Sequence, residues 1–181
     1  VLGETGWQSQ PTVAAERLAR LDPTLGPLST HVGVLGSPGL TAWVGMHGIG
    51  KPVAGDIVVV SGAAGATGSV AGQLARIAGA YVIGIAGGPE KCRWLVEEAG
   101  FDAAVDYKAG DVSKQLKALA PKGIDVIYDN VGGDILDAML ARIAIGARVV
   151  LCGGISRYEQ GGKIAGPANY FNLVLRRASM K

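Results

Sequence analysis

The chain has 181 residues, 49% of them apolar and 18% charged, with a formal net charge of +2 and a pI near 8.6. That is enough for one well-cored domain, or one domain and part of another, and it excludes general disorder. The positive charge is mild and scattered apart from Arg176-Arg177, which argues against a nucleic-acid partner.

Pro11, Pro23, Pro27 and Pro38, with Gly26, Gly33, Gly36 and Gly39, break the start of the chain into short segments, either a lead-in or the end of another domain. Gly39 to Gly48 reads as a helix linking this region to the sheet. From Asp56 onward strands and helices alternate. Ile57–Val60 is predicted as a strand, Thr67–Ala78 as a helix, and Tyr81–Ala86 as the second strand. Pro89 to Ala99 forms a helix, with proline at an allowed early position and Gly100 as its stop. Ala103–Asp106 is a short third strand, and Asp111 caps a helix running to about Ala120. Asp125–Tyr128 is a fourth strand, Gly133 to Ile143 a helix ending near Gly146, and Ala147–Leu151 a fifth strand. Asn169 to Arg177 reads as a last helix with no strand after it, so the chain is expected to stop short of a sixth strand.

Val- and Ile-rich strands without polar alternation, joined by helices, predict an α/β fold: a doubly wound parallel sheet of the Rossmann type. Ile57 to Gln73 is uncharged, but its glycines and strand-to-helix character point to a buried core element rather than a membrane span. No secretory signal is recognised, and Cys92 and Cys152 lack metal-ligand spacing, which together suit a reduced, cytoplasmic setting. Trp43 and Trp94 are expected in the core, and His31 and His47 have no partner spacing for zinc or a triad.

The most informative stretch is Ser61-Gly62-Ala63-Ala64-Gly65-Ala66-Thr67-Gly68, between the first strand and its helix. Missing Cβ atoms let backbone approach phosphate oxygens, and the N–H groups of a helix start point at the anion. It departs from the simplest G-x-G-x-x-G spacing, so a ligand-free tight turn is the alternative. At the end of the second strand, NAD-binding sheets usually carry an acid for the ribose diol. Here Gly87-Gly88-Pro89-Glu90-Lys91 offers glycines, a helix start and an ammonium, a pocket suited to the 2′-phosphate of NADP(H). Glu90 would have to point away. Asn130, after the fourth strand, either hydrogen-bonds the nicotinamide ribose or caps the next helix. Tyr107 is placed to reach adenine or a phosphate, and Tyr158 to donate a hydrogen bond to a substrate carbonyl. Cys152 closes a strand and reads as packing.

Gly39-Leu40-Thr41-Ala42, Ala63-Ala64-Gly65-Ala66-Thr67-Gly68, Gly87-Gly88-Pro89-Glu90-Lys91, Tyr128-Asp129-Asn130-Val131-Gly132-Gly133 and Cys152-Gly153-Gly154-Ile155-Ser156, in that order, resemble the zinc-free medium-chain reductases. Within these the pattern is similar to the leukotriene/prostaglandin reductase and 2-alkenal (curcumin) reductase branch. The resemblance implies a GroES-like substrate domain around an NADP-binding Rossmann domain. Residues 1–35 would be the tail of the first and 36–181 the second, truncated at its C-terminus.

The resemblance also implies residue roles. Gly65, Ala66, Thr67 and Gly68 would contact pyrophosphate. Lys91 and Tyr107 would hold the 2′-phosphate, at the pocket for which the residues themselves suggest Gly88, and Asn130 would lie on the nicotinamide side. Cys152 and Tyr158 would line the nicotinamide and substrate pocket; the Tyr158 hydroxyl is the candidate catalytic hydrogen-bond donor, joined, by the resemblance, by a ribose hydroxyl of the cofactor. No metal is expected, because Ser37 stands where zinc-dependent relatives carry a ligand cysteine, four residues before Thr41. The implied reaction is NADPH-dependent reduction of the carbon–carbon double bond of an α,β-unsaturated ketone or aldehyde, by hydride transfer without zinc. The implied partners are that small molecule and, by the edge of the sheet, a second copy of the chain. The competing readings are a quinone reductase of the same superfamily and a non-enzymatic NADP-binding protein. A short-chain dehydrogenase fits poorly, since Tyr158 and Lys163 lack the Tyr-x-x-x-Lys spacing.

Overall fold

A computed structural model describes residues 3, 6, 8–158 and 165–181. Six strands form one parallel sheet: β1 (Ile57–Ser61), β2 (Tyr81–Ala86), β3 (Ala103–Asp106), β4 (Ile124–Asp129), β5 (Ile143–Leu151) and β6 (Ser179–Met180). Their spatial order is β3-β2-β1-β4-β5-β6, so the chain reverses direction across the sheet between β1 and β4. In a doubly wound sheet that reversal opens a crevice at the carboxyl ends of the strands.

The helices are α1 (Ser37–Trp43), α2 (Ala66–Ile77), α3 (Pro89–Glu97), α4 (Val112–Leu119), α5 (Gly133–Leu140) and α6 (Asn172–Leu175). Strand residues alternate between two cores because successive side chains point to opposite faces. Val58, Val60 and Val82 pack with Ala71 and Ala75 of α2 and Leu95 of α3. Val59, Ile83 and Ile127 pack with Leu116 of α4 and Leu136, Met139 and Leu140 of α5. Both faces are therefore covered, which is why these strands are apolar throughout rather than alternating.

Asp111 caps α4 as expected, accepting from the Lys114 N–H at 3.1 Å. Three of the expected elements change. The linking helix starts at Ser37 and ends in a wider turn over Val44–Gly50, where the Lys51 N–H reaches back to the Met46 carbonyl at 2.6 Å. The fifth helix stops at Leu140 and β5 begins at Ile143, not Ala147. The apolar run through Ile145 suits helix or strand alike, and pairing of Ile143 with Ile124 decides it, Ile143 being buried in the second core. Near the end of the chain, two short helical pieces (Ala168–Phe171 and α6) replace one long helix. A sixth strand comes after them, pairing Ser179 with Arg148 and Met180 with Val149.

Trp43 does not enter the core. It is 53% exposed and stacks on His47 with ring centroids 4.9 Å apart. Trp94 is half-buried against the first core. Among the described residues no helix is long and apolar enough to cross a membrane.

Candidate functional site

A crevice of about 700 Å³ opens where β1, β2, β4 and β5 end, a size within the usual range for small-molecule sites. Of the residues singled out in the sequence, Gly65, Thr67, Gly68, Lys91, Tyr107, Asn130, Cys152 and Tyr158 line it together. Ala66 and Gly88 belong to the adjoining turns but do not form its wall, and Glu90 is likewise outside the lining. Lys163 lies outside the described residues. Among the described lining residues Lys91 is the one charged side chain.

The glycine turn is built by close backbone approach. Gly62 sits at φ +58, where glycine is favoured, and a Cβ at Gly68 would strike the Gly62 carbonyl. The Ala63 N–H donates to the Ile85 carbonyl at 3.1 Å, tying the turn to β2. Helix α2 opens at Gly65 with no side-chain cap, and the N–H groups of its first turn have no acceptor within the helix. An anion is the natural complement to such a start. The residues present therefore fit a dinucleotide: an uncapped helix start carried on a close-packed glycine turn, and one cation farther along the crevice.

At the β2 end, a Cβ on Gly87 would come within 2.7 Å of the Tyr107 ring, so glycine lets that ring lie against the backbone. The Gly88 N–H, expected to face a phosphate, instead donates to Asp106 Oδ1 at 2.9 Å. Asp106 also accepts from the Lys108 N–H at 2.9 Å. The Gly88 bond first, then the Lys108 bond, hold the Asp106 carboxyl below the usual aspartate range.

The seam between β1, β4 and β5 contains groups that the sequence reading missed. Ser61 and Asp129 are fully buried polar residues. Ser61 Oγ donates to Asp129 Oδ1 at 2.6 Å, and the N–H groups of Val131 (3.2 Å) and Gly132 (2.9 Å) donate to the same carboxylate. Burial outweighs these three bonds and raises the Asp129 carboxyl above its ordinary range. The Asn130 N–H donates to Ser61 Oγ at 2.9 Å, and Asn130 Nδ2 donates to the Ser61 carbonyl at 2.7 Å. Asn130 is thus no helix cap: Gly132 occupies that position, without a side-chain bond. One of its two amide N–H donors is committed, which leaves Oδ1 and the second N–H as the groups it can offer the crevice. The signal that could have found this seam was a polar residue closing each of two apolar strands.

Cys152 comes directly after β5, its N–H donating to the Asp129 carbonyl at 2.8 Å. Behind it the buried Tyr128 hydroxyl donates to the Thr41 carbonyl at 3.1 Å. Burial, then a hydrogen bond with Cys152, pushes that hydroxyl well above the usual tyrosine range. Tyr158 stands at the lip, 71% exposed, and its hydroxyl oxygen accepts from the Gly154 N–H at 3.3 Å. Accepting leaves the hydroxyl proton available to a ligand.

Residues 66–181 match the family described as zinc-binding dehydrogenase. The chain is 41% identical over 167 residues to the NADPH-dependent curcumin reductase of Escherichia coli (strain K12), covering 92% of this chain and 48% of that protein. It is 40% identical over 183 residues to the 2-alkenal reductase (NADP(+)-dependent) of Nicotiana tabacum, covering 100% of this chain and 53% of that protein. The crystal structure of CurA from Vibrio vulnificus in complex with NADPH superposes with a TM-score of 0.79 at 42% identity, over 84% of this chain and 47% of that one. The chain thus spans about half the length of the relatives it matches.

Proposed function

The chain belongs to the zinc-binding dehydrogenase family, in the branch that holds the curcumin and alkenal reductases, and from that membership we propose that its crevice binds NADP(H) in an enzyme that reduces the carbon–carbon double bond of α,β-unsaturated ketones and aldehydes. One observation carries the reading. The glycine turn, a lone lysine beside a tyrosine, and a strand-end asparagine share a single crevice. When bound, NADPH supplies the hydride that adds to the β-carbon.

The chain's own residues bind and orient. The start of α2 (Gly65, Ala66, Thr67, Gly68) holds the pyrophosphate through backbone N–H groups. Lys91 and Tyr107 hold the 2′-phosphate by charge-assisted hydrogen bonds. Asn130 Oδ1 accepts a hydrogen bond from the nicotinamide half, and Cys152 closes the wall beside it. The Tyr158 hydroxyl donates to the substrate oxygen that gains negative charge as the β-carbon is reduced. A donor aimed at developing charge lowers the barrier more than one aimed at the ground state.

Residues 1–35 we assign to the tail of a substrate domain and 36–181 to the dinucleotide-binding domain. The exposed apolar residues Ile145, Phe171, Val174 and Leu175 near the β6 edge support pairing with a second copy. The free thiols of Cys92 and Cys152 suit the cytoplasm. Titration of the chain with NADPH and NADH, followed by nicotinamide fluorescence, tests the reading. Tighter binding of NADPH supports it, and no binding of either removes it. Turnover of an aliphatic enone in preference to a quinone by the whole protein tests the reaction.

A further inference from the structure

The corner between β2 and β3 contains an arrangement that Lys91 and Tyr107 alone do not explain. Gly87 has ordinary backbone geometry, outside the left-handed region that demands glycine. Its missing side chain therefore serves space. A Cβ there would lie 2.7 Å from Tyr107 Cζ and Oη and 2.8 Å from Cε1. Those atoms are the far end of a side chain that is 46% exposed, so an added methyl would swing the ring aside and leave the strand intact. The next residue, Gly88, does have glycine-only geometry at φ +98, and its N–H is held by Asp106 Oδ1. The same oxygen holds the Lys108 N–H, and the Tyr107 N–H donates to the Ala86 carbonyl at 3.1 Å. The turn that starts α3, which carries Lys91, is thereby clamped to the turn that carries Tyr107.

We infer that Gly87 and Asp106 are positioning residues that give the crevice its preference for a phosphomonoester on the adenosine ribose. Gly87 seats the Tyr107 ring against the backbone, and Asp106 fixes the two turns so that Tyr107 and Lys91 converge on one anion. This rests on the dinucleotide reading above. Asp106 does not line the crevice, and its ionised carboxylate is engaged by two backbone N–H groups. Its role is geometric, and an amide oxygen in the same position should serve.

The test compares 2′,5′-ADP with 5′-ADP by calorimetry on the chain and on three variants, with NADPH and NADH as a second pair. Gly87→Ala should lose roughly tenfold or more in affinity for 2′,5′-ADP, the worth of one charged hydrogen bond, while 5′-ADP binding stays within about twofold. Asp106→Ala should show the same selective loss, and Asp106→Asn should restore it, because Asn Oδ1 accepts both N–H bonds. Retained 5′-ADP binding reports a folded crevice in each variant. Unchanged preference for 2′,5′-ADP in Gly87→Ala overturns the inference while the dinucleotide reading stands. Equal loss of both ligands overturns it too, since a general structural role would suffice. Equal impairment of Asp106→Asn and Asp106→Ala removes the clamp. If the unsubstituted chain binds none of the four ligands, the dinucleotide reading falls and takes this inference with it.

Discussion

The two ends of the crevice are built on opposite principles. At the β1–β4–β5 seam, Ser61 and Asp129 are shut away from water and bonded to each other, to backbone and to the segment that positions Asn130. At the β2–β3 corner, Tyr107 and Lys91 are exposed, and what orders them is a missing methyl and one carboxylate gripping two turns. Buried polar bonds are costly to leave unmade, so the seam is rigid and its parts are not separable. Exposed charges interact weakly with the fold and strongly with an anion, so on the proposed reading the corner discriminates between ligands without supporting the domain.

The contrast is broken most severely at the seam. Asp129→Ala leaves the Ser61 hydroxyl and the Val131 and Gly132 N–H groups without their acceptor in a dry site. It should cost on the order of 3–4 kcal/mol in urea unfolding and weaken every nucleotide together. At the corner, Lys91→Ala should lower NADPH affinity roughly ten- to a hundredfold and leave NADH and the unfolding midpoint nearly unchanged. A comparable loss of stability in both variants would erase the distinction. If the proposed reaction holds, Tyr158→Phe, at the exposed lip, should reduce enone turnover by the whole protein by roughly tenfold with NADPH affinity intact, the effect of removing a donor that acts on developing charge. Equal loss of turnover and affinity would remove Tyr158 from the reaction.

The same contrast explains what the sequence made legible. Parallel architecture followed from apolar runs separated by helices, and the glycine turn, Lys91 and Tyr107 each carried a local mark. The corner was readable because charge and glycine stand out one residue at a time. The seam was harder to read, because its content is pairing across 68 positions, as in Ser61 with Asp129: a polar residue closing each apolar strand marks the two ends but not that they meet. The start of β5 was missed for a related reason. Ile143 is apolar enough for helix or strand, and only Ile124 in the neighbouring strand settles which. Trp43 has a helical position that suits the core, yet stacking on His47 gives it a partner at the surface. Gly88 stands beside a helix start and a lysine that suit a phosphate, whereas its N–H is taken by an aspartate 18 positions away.

The smallest effect is the most specific to the seam. Burial raises Asp129 above its ordinary range despite three donors, so between the unfolded and folded titrations the native chain holds a proton that the unfolded chain has released. The contribution of this group to stability is therefore best at low pH and falls as pH rises from the ordinary aspartate range through the folded value. Asp106 and Asp22, both held low by hydrogen bonds, contribute in the opposite direction and lose stability as pH falls. Those two are common to the parent and Asp129→Asn, so they cancel when the pair is compared. The variant cannot ionise at 129, and its amide nitrogen facing the Gly132 N–H should cost about 1–2 kcal/mol at any pH. Urea unfolding from acid to neutral should then show the parent's margin over Asp129→Asn shrinking with rising pH. A margin that is flat or grows would mean that the three donors outweigh burial, and that the carboxylate at the seam is as comfortably charged as the one at the corner.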